Sequence, residues 1–142
     1  MNNLNFKSAP DIQAETALRC LEGAEQGSMT FPEIVQTLIQ AGFDGYAVDL
    51  RRHAATYYLP DGRAIDLPAA APAKPVVEKF DATIVQEGIR EAVALAPGYS
   101  YKGFCAKVAA AGCAGYLVSF PGKRVLYWGR DGGTHTELFP GT

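Results

Sequence analysis

The chain has 142 residues (15.2 kDa), 48% of them apolar and 20% charged, with a formal net charge of -2. These values describe one soluble globular domain, or two very small ones, able to bury a core without disulfide or metal staples. They exclude the excess of Lys and Arg that a dedicated nucleic-acid binder uses, and no apolar run reaches the ~20 residues of a membrane span. Met1–Lys7 lacks the basic start and apolar centre of a leader, and three cysteines at no metal-like spacing suit a reducing compartment, so cytoplasmic residence is expected.

In chain order, the first predicted helix runs from Pro10 to about Gln26, with Ser8 as N-cap, Pro10 in the first turn and Gly27 as a stop. The second begins at a Thr30-x-x-Glu33 capping box, flanked by Met29 and Ile34 at the positions of a hydrophobic staple, and ends at Gly42. The period then falls to two. Tyr46, Val48 and Leu50 alternate with Ala47, Asp49 and Arg51, which predicts a half-buried strand. The polar turn Arg51-Arg52-His53 leads into a strand over Ala54–Leu59, the dipeptide Asp61-Gly62 marks a hairpin, and a third strand covers Ala64–Leu67.

The same order follows a second time. Placing Ser28–Gly62 over Gly98–Gly132 at a constant offset of 70 gives 8 identities in the 22 positions from Ala41, among them Gly42/Gly112, Gly45/Gly115, Tyr46/Tyr116 and Tyr57/Tyr127. The second unit has a helix from Asp81 to about Ala96, closed by Pro97-Gly98, and a helix capped by Ser100 with Tyr99 and Phe104 at staple positions and Gly112 as stop. Strands follow at Tyr116–Phe120, Arg124–Gly129 and Thr134–Phe139. The units are therefore 8–67 and 78–140, joined by an Ala/Pro linker over 68–77 whose three prolines favour an extended, fairly stiff path. At ~60 residues each unit is too small to rely on its own core, so a single fused domain over 1–142 in a pseudo-twofold arrangement is expected. Sequential hairpins with two leading helices predict an α+β fold, its antiparallel sheet covered by helices on one face.

A short helix ending in A-G-x-x-x-Y-x-V (Ala41 to Val48), an aromatic strand (Thr56-Tyr57-Tyr58) and a D-G turn resemble the YdfO-like family of small phage- and prophage-associated proteins of unknown function. The resemblance covers Thr30–Pro68 and Ser100–Pro140 and rests on structural motifs. It implies a cytosolic, cofactor-free α+β protein and carries over no catalytic residue.

The candidates for chemistry are few. Cys105 and Cys113 align with Val35 and Phe43, and Cys20 lies in the first helix, so all three read as packing residues. His53 sits at a turn and aligns with Lys123, a solvated cationic position. His135 and Glu137, two apart on a strand, point the same way and with Asp49 form the best acid/base set, although an exposed edge-strand pair is the plainer reading. Gly129-Arg130-Asp131-Gly132-Gly133 ends a strand without opening a helix and so lacks the context of a phosphate loop. No cofactor and no metal are expected.

Basic turns and an aromatic strand remain. Tyr57 and Tyr127 suit the core beneath the helices, which turns Tyr58 and Trp128 to the other face. That face, rimmed by Arg51, Arg52, Lys123 and Arg124, is the expected binding surface, or else it packs inside the chain. The reading is a non-enzymatic binding or accessory protein, monomeric or homodimeric, taking an unidentified protein or small acidic ligand; membrane and specific nucleic-acid binding are not expected. The alternative is a small hydrolase or isomerase using His135, Glu137 and Asp49 between the units.

Overall fold

A computed structural model describes residues 8–141. The Met1–Lys7 stretch read above for a leader lies outside them. The elements are α1 (Ala9–Gln26), α2 (Phe31–Gln40), β1 (Gly45–Asp49), β2 (Ala54–Tyr58), β3 (Ala64–Pro68), α3 (Ala82–Ala94), α4 (Tyr101–Ala110), β4 (Cys113–Ser119), β5 (Arg124–Gly129) and β6 (Thr134–Leu138). The fold is α+β, with four helices and one six-stranded antiparallel sheet in the order β3-β2-β1-β4-β5-β6 among the described residues.

Local chemistry explains the helix ends. Ser8 Oγ accepts from Asp11 N at the start of α1, and at α2 the Thr30 N–H donates to Glu33 Oε1 at 2.8 Å while Glu33 N donates back to Thr30 Oγ1. Ser100 Oγ accepts from Gly103 N at 2.9 Å to cap α4. Gly42 and Gly112 follow α2 and α4 with φ of 98° and 84°. One boundary differs from expectation: α3 stops at Ala94 because Leu95 itself turns left-handed (φ 48°), ahead of Pro97-Gly98. Met29 lies against Gly23 at the end of α1.

The strands pair as adjacent hairpins, and the two triplets join through β1 and β4, whose register runs from Gly45 opposite Ser119 to Asp49 opposite Gly115. Ala47 faces Leu117, its own counterpart at the offset of 70, so the pairing maps onto itself when the two triplets are exchanged. All the large buried strand side chains share one parity. Tyr46, Val48, Ala55, Tyr57, Tyr116, Val118, Val125 and Tyr127 face the helices, with Cys20, Leu38, Val85 and Val108 buried above them. Burying each such aliphatic side chain contributes roughly 1.5–3 kcal/mol. Four tyrosines cross the sheet in this layer: Tyr57 stacks on Tyr46 (centroids 5.3 Å), Tyr46 meets Tyr116 edge-on (6.5 Å), and Tyr116 meets Tyr127 (5.5 Å). The Tyr116 hydroxyl shares a 2.7 Å hydrogen bond with that of Tyr101 on α4.

The linker and the residues that follow it are seated on the rest of the protein. Ala70 N donates to Glu25 Oε2, Val77 N to Ala109 O, Phe80 N to Asp131 Oδ2 and Asp81 N to Ala111 O, while Val76 is buried.

All three cysteines are free and buried. Burial pushes the Cys105 and Cys113 thiols up to about 11, and raises Cys20 despite the nearby Arg19 guanidinium. Their folded-state values lie above the unfolded value near 9.0, so the native protein holds protons that the unfolded chain releases. The stabilisation is complete below that value and is lost as pH rises through the window from 9.0 to about 11. Each thiol should remove about 1.4 kcal/mol per pH unit there. Burial of Tyr57 and Tyr127 extends the same trend to higher pH. Urea midpoints measured between neutral pH and pH ~10.5 should therefore fall steeply above ~9; a flat profile would contradict the buried-thiol assignment.

Candidate functional site

The parity that buries the tyrosines turns a complete second face outward. On it lie Ala47, Asp49, Thr56, Tyr58, Leu117, Leu126 and Trp128, and no described element covers them. Tyr58 is 40% exposed, Leu126 36% and Leu138 56%, so the large apolar groups here meet solvent.

Strand direction sorts the basic residues. In this sheet β1 and β5 run the same way, so the turns after Asp49 and after Gly129 emerge at one end. Arg51, Arg52 and Arg130 meet there, around Trp128. Together with Asp49, Ala114 and Gly129 they line a groove of about 470 Å³. Trp128 pairs with Gly115, and an added Cβ at Gly115 would collide with Cζ2 and Cη2 of the indole, which packs here against a residue without a side chain and is half-buried. The wall is shaped by a β-bulge between Cys113 and Gly115, which leaves Ala114 as an extra residue in β4.

The electrostatics of the groove are one-sided. Asp49 Oδ1 accepts from the backbone N–H groups of Arg51 and Arg52, both at 2.9 Å, which fixes the turn and engages the one carboxylate of the lining. Arg130 Nη1 donates to Val76 O at 2.9 Å and is tethered to the linker. Among the described residues neither Arg51 nor Arg52 has a carboxylate within ion-pair distance. Three arginines thus face one carboxylate in the lining of the groove.

The four cations expected at the rim of this face divide between its two ends. Arg124 begins β5 and Lys123 ends the turn before it, so both stand at the opposite end of the sheet from Arg51 and Arg52, and Arg124 Nε donates to its own turn at Gly122 O. Tyr58 lies at that far end too, in the row Tyr58, Gly45, Ser119, Arg124. Four residues along a strand and three strand spacings put it about 20 Å from Trp128. Arg130 is the groove residue that the sequence reading left out of its site; the signal was its place after a strand parallel in direction to β1.

His135 and Glu137 are also relocated. Their register partners are Tyr127 and Val125, so both face the helices, where the first triplet carries Ile65 and Leu67. Far from being an open edge pair, their side chains are 19% and 31% exposed and share a 2.7 Å hydrogen bond, with the His135 ring 6.4 Å from that of Tyr127. Asp49 is on the other face of the sheet, three strand spacings or about 14 Å across, so the three residues do not converge. Among the described residues no three His, Cys, Asp or Glu side chains form a metal-binding group. No described helix is long and apolar enough to cross a membrane.

A family model described as "Protein of unknown function (DUF1398)" matches residues 19–137. The chain belongs to that family. The matched DUF1398 region runs from within α1 to within β6, and so contains the whole groove. Comparison with curated proteins found no match.

Proposed function

We propose that this DUF1398 protein is a non-enzymatic cytoplasmic binding or accessory protein that holds an acidic ligand on the open face of its sheet, in the groove floored by Trp128. The observation that carries the reading is the convergence of Arg51, Arg52 and Arg130 on a half-buried tryptophan, with two of those guanidinium groups lacking a carboxylate partner among the described residues. Volume agrees, because small-molecule sites span ~300–1,000 Å³. Descent of the two halves from one duplicated unit, and an accessory role of the kind suggested by the resemblance to YdfO-like phage and prophage proteins, belong to the same reading. Support for the duplication is the self-mapping β1–β4 register.

Trp128 is the one tryptophan of the chain, so its emission reports on the groove alone. Titration with pyrophosphate or citrate at low ionic strength should give a saturable change. In an Arg51→Ala/Arg52→Ala double variant the affinity should drop at least ~10-fold, as expected from losing hydrogen bonds between charged groups. No saturable response to any such anion would refute the reading.

A further inference from the structure

The two ends of the open face are geometric counterparts with different chemistry. At one end stand Trp128, Asp49, Arg51, Arg52 and Arg130; the positions related to them by the offset of 70 are Tyr58, Ser119, Pro121, Gly122 and Pro60. All three cations are missing from the second set, and the aromatic is smaller. The bulge of β4 between Cys113 and Gly115 lies at the first end.

Size and surface composition narrow the ligand. About 470 Å³ is far more room than a bare phosphate needs. The indole packs against Gly115 and lines the groove while still half-buried, so it offers aromatic surface to a flat ring. Three guanidinium groups less one carboxylate give a local charge of about +2, matching the ~-1.5 to -2 of a phosphomonoester at neutral pH. Beyond the groove the face offers no basic track: its middle row is Asp66, Thr56, Ala47, Leu117, Leu126 and Thr136. A polynucleotide would have nothing to follow.

Resting on the anion-binding reading above, we infer that the Trp128 groove binds a single nucleoside monophosphate, its base stacked on the indole and its phosphate held by the Arg51, Arg52 and Arg130 guanidinium groups.

Calorimetric titration with adenosine 5′-monophosphate, adenosine, inorganic phosphate and a ten-residue oligodeoxyadenylate tests this. One-to-one binding of the monophosphate, at least ~10-fold tighter than either adenosine or phosphate, is expected from adding a stacked base to an anchored anion. Trp128→Leu should remove most of that advantage while leaving phosphate binding in place, with circular dichroism verifying its fold; Trp128→Tyr, which keeps an aromatic face, should restore much of it. If the monophosphate binds no better than phosphate, the stacking inference falls and the anion site stands. Affinity that keeps rising with oligonucleotide length overturns the single-nucleotide inference in favour of single-stranded nucleic acid. If none of the anions binds, the underlying reading falls as well.

Discussion

Gly112→Ala is expected to be among the most damaging single-methyl changes in the chain, costing more than ~3 kcal/mol and leaving little folded protein at 37 °C. Gly112 ends α4 with φ 84°, a conformation that costs an L-residue roughly 1–2 kcal/mol. An alanine Cβ would in addition fall inside the Lys79 carbonyl, with Phe80 Cα only 2.8 Å away, and both are backbone atoms that cannot rotate aside. Relief would require lifting the Lys79–Phe80 segment that follows the linker, which breaks the hydrogen bonds from Phe80 N to Asp131 Oδ2 and from Asp81 N to Ala111 O. Gly42 supplies the internal control. It closes α2 with φ 98°, but an added Cβ there meets only the flexible Gln13 Nε2 at 3.3 Å. Gly42→Ala should thus cost only the conformational ~1–2 kcal/mol. Urea denaturation of both variants decides the matter: equal losses would mean that the Lys79–Phe80 segment does not press on the end of α4.

The second large effect couples stability to the groove. Gly115→Ala should displace the Trp128 ring, because the new methyl would occupy its position and would also stand 2.5 Å from the Val48 carbonyl oxygen in the β1–β4 ladder. Overpacking of this kind costs typically 1–3 kcal/mol. Unlike a core change, it should also shift Trp128 emission to the red in the still-folded protein, as the indole leaves its seat for water, and weaken anion binding in the groove. A destabilised variant with unchanged emission would show that Trp128 does not rest on Gly115.

Where structure depends on neighbouring residues, it can be read from the sequence. The Thr30/Glu33 box, the Ser100 cap, the stops at Gly42 and Gly112 and the Asp-Gly hairpins all act within a few residues, and each lies where its chemistry demands. Alternation likewise assigned Tyr57 and Tyr127 to the core and Tyr58 and Trp128 to the opposite face. The site is less local. Arg51 and Arg130 meet because β1 pairs with β4, a contact across some seventy residues that no short-range pattern encodes. Lys123 and Arg124 seem equivalent to Arg51 and Arg52 as turn residues, yet antiparallel pairing sends the two turns to opposite ends. His135 and Glu137 are polar and so suggest an open face, but the parity of β6 is dictated by Tyr127 opposite His135. The bulge at Ala114, which lines the groove, leaves no mark in the sequence beyond a run of small residues, Ala114-Gly115.

Charged quenchers test the central claim most directly, since it concerns one tryptophan in a positively charged groove on an uncovered sheet face. Collisional quenching of Trp128 should be several-fold more efficient with iodide than with caesium at matched ionic strength, and the preference should shrink in the Arg51→Ala/Arg52→Ala variant. Weak, equal quenching by both ions would mean that the face is covered, and stronger quenching by caesium would mean that the groove is not basic; either result would contradict the assignment of Trp128, Arg51, Arg52 and Arg130 as an anion site.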